Sequence, residues 1–346
     1  MSTQQNTIIE KLTPFYKGAW DAYAIKHSEG TFFHLSGWQQ IIEEAYGHET
    51  YYLFARKGDQ ILGILPLGHI RSRLFGNALI STPFCVYGGA IADNKNIQLQ
   101  LETAAEQEAI NRNVDYLEIR NKKATRNDWP IKELYVTFRK NIDPDPEINL
   151  KAIPRKQRAM IRKGIKAGLM SAIHDDIDTF FNIYSTSVRN HGTPVFPKRY
   201  FSLLKSIFEE KCEVRVVYNK DKPISSVLSF YFRDEVLPYY GGGLTAARQY
   251  KAFDFMYWDL LQSSCLAGVS VFDYGRSKLG TGSYSFKKNW GFEPMPLPYQ
   301  YRLVKADYIP DVNPLNPKYQ VFIKFWQKLP LSLANTFGPY LSKNLG

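Results

Sequence analysis

The sequence predicts an α/β (α+β) chain of two domains, each a mixed sheet flanked by helices. Its 346 residues exceed what one hydrophobic core commonly serves. Apolar residues make up 44% and charged residues 22%, a globular balance that excludes wholesale disorder. One order of elements also occurs twice: a hairpin, an apolar stretch ending in Tyr-Gly-Gly, a long helix, and a short strand ending in Arg. A repeat this long reads as two duplicated domains rather than a solenoid.

In the first copy, Thr31 to Tyr46 reads as a helix with Trp38, Ile41, Ile42 and Ala45 on one side and Gly47 as its stop. Tyr51 to Arg56, a Lys57-Gly58-Asp59 turn and Ile61 to Ile70 read as a hairpin. The apolar stretch Ala78 to Ala90 contains Tyr87-Gly88-Gly89, and the helix Ile97 to Arg112 leads to the strand Tyr116 to Arg120. A further strand and the connector Asp143-Pro-Asp-Pro close the copy. The second copy runs through the hairpin Glu213–Tyr218 and Ile224–Arg233, then Tyr240-Gly241-Gly242, the helix Ala252–Ala267 and the strand Val271–Tyr274, to Arg276. This places one domain at 1–150, a second at 151–305 and a basic, aromatic tail at 306–346.

Charge is unevenly divided. Residues 1–150 hold 16 Lys and Arg against 18 Asp and Glu, whereas residues 151–346 hold 28 against 15. An anionic partner addressed by the second half follows. Cys85, Cys212 and Cys265 share no short spacing, which argues against a disulfide scaffold or thiolate zinc site, and Cys85 beside Pro83 reads as core. No His-x-x-x-His or His/Cys cluster suggests a metal, and no cofactor motif is present. The N-terminal residues lack a secretory pattern, and the longest uncharged run, Asn77 to Ala92, is too short and interrupted to span a bilayer. A cytoplasmic protein is expected, either free or lying at the inner face of the membrane.

Three stretches carry the candidate chemistry. Lys151 to Lys166 has seven basic residues and no acid. As a helix starting after Pro154 it buries Ile161, Ile165 and Leu169 and lines an adjacent side with Arg155, Arg158, Arg162 and Lys166. Two readings stand: a solvated basic face, or a site for phosphate or RNA. In the second stretch, Tyr239 and Tyr240 precede Gly241-Gly242-Gly243, where backbone can approach a ligand. The loop before the next helix carries Lys251 and Ala252 where a pyrophosphate-holding turn favours glycine, so acyl-CoA is the less favoured donor. The third stretch, Asp273-Tyr-Gly-Arg276 and Ser283-Tyr-Ser-Phe286-Lys287, is the densest. Lys287 lies between Phe286 and Trp290, so it reads either as a cation in a partly dry site, meeting a developing oxyanion, or as a surface lysine. Arg276 either forks onto an anion or pairs with Asp273. Arg189 and Lys198 are further candidate anion clamps, and Tyr200 and Trp38 complete the candidate substrate-binding set.

Taken together, the basic helix leading into Gly168, Asp273-Tyr-Gly and Ser283-Tyr-Ser-Phe-Lys287-x-x-x-Gly-Phe resemble the Fem-type transferases, the FemA, FemB and FemX proteins that add amino acids to peptidoglycan precursors. Gly280 to Phe292 and the tail from Asn313-Pro-Leu-Asn-Pro through Trp326 are similar to the FemAB-related branch associated with exosortase/PEP-CTERM exopolysaccharide loci. The resemblance implies two tandem acetyltransferase-like (GNAT) domains and transfer of an aminoacyl or acyl group to an amine of a peptidoglycan or exopolysaccharide precursor. It puts Lys287 in the charge-stabilising role, Tyr240 and Asp273 beside it as catalytic residues, and Tyr239, Ser283 and Phe286 against substrate. Aminoacyl-tRNA is the implied donor and a nucleotide- or lipid-linked glycan the acceptor. Fem proteins usually carry a basic residue after the first-helix Trp; here Trp38 is followed by Gln39-Gln40-Ile41-Ile42. The competing class is a catalytically silent module binding an anionic lipid-linked glycan. Residues 318–346, with Lys318, Lys324, Lys328 and Lys343 and with Phe322, Phe325 and Trp326, either lie on an anionic membrane or dock on the body. A monomer is expected.

Overall fold

The computed structural model describes residues 6–72, 76–309 and 317–344, with the side chains of 317–319 set aside. The motif residues Asn313 to Asn316 and the side chain of Lys318 therefore lie outside the described residues. The chain divides into two compact units, Met1–Tyr135 with Leu297–Asp311 and Lys343–Gly346, and Val136–Pro296 with Val312–Ser342.

In the first unit, β1 (Ile8–Lys11), α1 (Lys17–Lys26) and α2 (Gly37–Tyr46) precede the strands β2 (Glu49–Thr50), β3 (Leu53–Lys57), β4 (Gln60–Leu65), β5 (Leu67–Ser72), β6 (Gly76–Ser81) and β7 (Ile91–Ala92). Then come α3 (Lys95–Asn111) and β8 (Tyr116–Ile119). Thr31–Tyr46, expected as one helix, is a 3-10 turn at Phe32–His34 followed by α2. Ile61–Ile70, expected as one strand, breaks at Pro66, which has no N–H to continue a ladder. Beyond that break β4 joins β3, and β5 joins β6. Tyr87-Gly88-Gly89 lies in the loop between β6 and β7 rather than closing a strand. Its glycines serve close packing: a Cβ on Gly89 would lie 1.7 Å from Asn121 Oδ1. β6 and β8 are parallel, with α3 as the crossover.

β9 (Ile131–Asn141) carries the chain into the second unit, where α4 (Pro146–Ala152), α5 (Arg155–Lys166), β10 (Leu169–His174), α6 (Asp178–Asn190) and α7 (Lys198–Phe208) follow. Next are β11 (Cys212–Asn219), β12 (Lys222–Phe232), β13 (Glu235–Gly243), α8 (Thr245–Tyr250), α9 (Ala252–Leu266), β14 (Val271–Lys278) and α10 (Gly282–Asn289). The chain ends with β15 (Pro294–Leu303), α11 (Pro317–Gln327) and α12 (Leu331–Ser342). The division between units falls inside β9 and β15, not at residues 150 and 305, and the tail from 306 is shared between units instead of forming a third body. The Asp-Pro connector does interrupt the periodicity, but pairing decides membership: from Val136 onward β9 lies beyond β14 in the sheet of the second unit.

Within the second unit that sheet runs β10-β11-β12-β13-β14-β9. β13 and β14 are parallel but pair only at Glu235 with Val271 and Val236 with Phe272. A bulge sits just past this point, since Ser229 faces Pro238, Leu228 faces Tyr240, and Tyr239 is the extra residue. α5 packs on α9 through Gln157, Ile161 and Gly164; of the expected Ile161, Ile165 and Leu169, the first and last are buried and Ile165 is not. Ile165 is 51% exposed. Gly164 sets the seam because a Cβ there would stand 2.8 Å from Phe255 Cβ, so only glycine lets the helices approach this closely.

Candidate active site

Gly275 takes a left-handed conformation (φ 65°) inside β14, and a turn at Gly280 (φ 75°) leads into α10. The Thr281 hydroxyl caps that helix, accepting from the Tyr284 N–H. This arrangement aims Lys287 back at the strand. Its Nζ donates to the carbonyls of Gly275 and Arg276, at 3.0 Å each, and lies 5.7 Å from the centroid of the Phe138 ring. Burial pushes its pKa down to about 7; the carboxylate of Asp273 opposes this and the Arg276 guanidinium adds to it. An ammonium has three N–H donors, so the two carbonyls leave one direction for a reacting group.

Asp273 is fully enclosed. One oxygen accepts from the Gly275 N–H at 2.7 Å and the other lies 3.8 Å from Arg139. Arg139 forks onto Glu235. Asp273 thus holds the left-handed bend at Gly275, whose carbonyl and that of Arg276 meet Lys287, and supplies negative field to Lys287. Both oxygens of Asp273, expected from sequence as a catalytic residue, face protein groups: one meets the Gly275 N–H and Thr137, the other Arg139. Asp273 forms an ion pair with Arg139.

The neighbouring Phe286 lies in an aromatic cluster. Phe286 packs against Tyr257, Tyr274 and Trp290. The hydroxyls of Tyr274 and Ser277, both buried on β14, have no hydrogen-bond partner among the described residues, a costly condition that a bound polar group relieves. Asp254 in the first turn of α9 accepts from Gln157 of α5 and from the Trp290 indole. It thereby ties the basic helix and the loop after α10 to one point. Nothing in the sequence flagged Asp254 except its place as an acid in an otherwise apolar run.

The other expected residues divide into groups. Tyr240 is locked in an aromatic cluster with Tyr184, Phe196 and Phe201, and its hydroxyl meets that of Tyr200 at 2.7 Å. That contact uses one of the hydrogen-bonding directions of its hydroxyl. Tyr239, the bulged residue, is half-buried against Phe230. Arg189 donates to the Gln327 carbonyl at 3.2 Å, and its Nε is buried without a partner among the described residues. Lys198 forms a 2.8 Å surface pair with Asp178, so its charge is already met. Ser283 is exposed, 3.1 Å from the Thr281 hydroxyl. Trp38 belongs to the core of the first unit: it is fully buried, donates to the Phe32 carbonyl and packs on Phe32 and Phe33. On α5, Arg155, Arg162 and Lys166 are exposed and Arg158 half-buried. None of the four forms an ion pair with a described residue, and the Arg158 Nε is buried without a partner among them.

The first unit holds a cavity of about 350 Å³ that sequence reasoning missed. It is lined by Gly89, by Asn94 and Lys95 at the start of α3, by Lys122 and Lys123, and by His34. The His34 ring accepts from the Thr31 N–H and donates to the Gly89 carbonyl, and burial lowers its pKa to about 4. With both nitrogens engaged and the ring neutral, His34 shapes this cavity and is no general base. The parallel between Tyr87-Gly-Gly and Tyr240-Gly-Gly was the one sequence signal that pointed here. No group of three metal-ligating side chains is present among the described residues.

Residues 155–288 match the family described as an acetyltransferase (GNAT) domain. No curated protein matches the chain. Among solved structures, the chain is similar to FemX, with 13% identity and a TM-score of 0.68 over 91% of this chain and all of that one. It is also similar to a tandem GNAT protein from the clavulanic acid biosynthesis pathway, with 8% identity and a TM-score of 0.55 over 88% and 100%. L-PGS from Bacillus licheniformis matches at 11% identity and a TM-score of 0.52 over 93% and 97%. The likeness is one of fold: two tandem GNAT domains of mixed α/β architecture, as the resemblance to Fem-type transferases implied.

Proposed function

We propose that this chain is an acyltransferase of the Fem type, moving an aminoacyl or acyl group from an activated carbonyl to an amine of a peptidoglycan or exopolysaccharide precursor. The observation that carries the proposal is Lys287: a desolvated ammonium held by two carbonyls of β14, with one N–H uncommitted. The acceptor nitrogen attacks the carbonyl carbon and forms the C–N bond. The carbonyl oxygen becomes an oxyanion, which the free N–H of Lys287 meets. Collapse breaks the bond to the leaving group. The proton lost by the amine passes to that leaving group, directly or through water.

The second unit favours a donor other than acyl-CoA. A pyrophosphate is held where helix N-terminal amides are open and the local charge is positive. The first turn of α9 instead contains the buried acid Asp254 and lies against α5. Lys251 occupies a left-handed position (φ 58°) ahead of it. The unpaired cations of α5 suit the phosphates of an aminoacyl-tRNA, at a cytoplasmic site where such donors exist. The test is mass spectrometry of precursor incubated with the chain and charged tRNA, in parallel with acyl-CoA. Transfer from charged tRNA, with kcat reduced about 10²- to 10³-fold by Lys287→Ala, is the expected result. Unchanged turnover in that variant would overturn the oxyanion role, and transfer from acyl-CoA alone would overturn the donor.

A further inference from the structure

The two C-terminal helices are seated on the second unit by one face. Trp326 and Ala334 are buried, Ile323 meets Gly192, and Gly338 passes close to the Val195 backbone. The Ser342 hydroxyl donates to the Val195 carbonyl at 3.0 Å. Docking on the body and offering an outer surface are therefore not alternatives. Outside these contacts, Val321, Phe322, Phe325, Leu333, Phe337 and Tyr340 are between 37% and 77% exposed. On α12 the exposed three recur at i, i+4 and i+7, a helical stripe.

Exposed helix positions are ordinarily charged or polar, yet α12 has no charged residue in twelve. The charge nearby has one sign: no Asp or Glu follows Asp311, while Lys318, Lys324, Lys328 and Lys343 do. Lys324 and Lys328 are exposed beside Phe325 and form no ion pair with a described residue. A second copy of the chain would bring like-charged lysines together. A surface that is apolar at depth and anionic at its face satisfies both features, and Phe and Tyr are suited to the headgroup level. No helix among the described residues is long and apolar enough to cross a membrane, so the contact is one of lying in the interface.

We infer that α11 and α12 dock this protein on an anionic lipid surface, with the exposed aromatic and aliphatic residues entering the headgroup boundary and Lys324 and Lys328 meeting lipid phosphates. The inference is independent of the transfer chemistry. Each lysine near an anionic surface contributes about fivefold in affinity.

Co-sedimentation of the full chain with vesicles of phosphatidylglycerol and phosphatidylcholine, against phosphatidylcholine alone, tests it. The wild type is expected to pellet with the anionic vesicles and to be released by salt. The double variant Lys324→Glu, Lys328→Glu should bind at least about 25-fold more weakly, and Phe325→Ser, Phe337→Ser about tenfold more weakly. Because the substituted side chains are exposed, unchanged thermal unfolding serves as the folding control. Transfer to a precursor free of membrane should be unaffected in both variants, which separates this outcome from failure of the proposed activity. Three results would overturn the inference: no wild-type binding to anionic vesicles, equal binding by the variants, or a wild-type dimer in sedimentation velocity that Phe325→Ser, Phe337→Ser dissociates.

Discussion

Replacing Lys287 by arginine separates the charged form of this side chain from its neutral form. In the structure the ammonium has a pKa lowered to about 7, so the group loses its charge as pH rises through neutrality. If the oxyanion needs the cation, the active fraction falls to about one tenth near pH 8 and about one hundredth near pH 9. Arginine stays charged throughout this range. The acceptor amine must itself be deprotonated, but that requirement is common to both proteins and cancels in their ratio. The assay is kcat/KM for amine acylation by wild type and Lys287→Arg from about pH 6 to about pH 9. The wild-type-to-variant ratio should be flat below about pH 7 and then fall about tenfold per unit. A ratio that is constant across the range would refute the reasoning. So would one that climbs above pH 7, which would mark Lys287 as a base.

The same lysine has a signature in stability. Its folded pKa is below the ordinary 10.5, so the unfolded chain binds more protons between those values, and stability rises with pH there and is lost as pH falls through about 7. Allowing for partial exposure, urea unfolding should show a gain of about 1–2 kcal/mol from pH 7 to pH 9 that Lys287→Met abolishes. Arg139→Ala leaves Glu235 buried beside Asp273 and is expected to cost about 2–4 kcal/mol in the same measurement. Gly242→Ala puts a Cβ 2.8 Å from the Tyr184 Cα, backbone that cannot step aside, so α6 must shift from β13 at about 1–3 kcal/mol. Trp38→Phe should lower stability by about 1–3 kcal/mol with KM for the acceptor unchanged; a raised KM would return Trp38 to the substrate site.

Local pattern determined a good deal by itself. The α/β class, the helices α3, α5 and α9, the hairpin of β11 and β12, and the repeated strand–helix–strand order are consequences of apolar period and turn chemistry along neighbouring residues, and both were legible. So was Lys287, because a lysine between aromatic residues after a glycine-rich strand end is a statement about a few consecutive positions. What the tertiary structure decided depends on partners far apart in the chain. What a buried tyrosine meets is decided by Tyr200 reaching Tyr240, and the contacts of Asp273 by Gly275 and Arg139. The seam of α5 is set by Phe255 against Gly164. The unit boundaries follow strand pairing that crosses the Asp-Pro connector. Even the C-terminal helices, whose composition allowed either docking or an open surface, turned out to have one face for each. Periodicity along a chain says which face is apolar; only packing says which apolar face is covered.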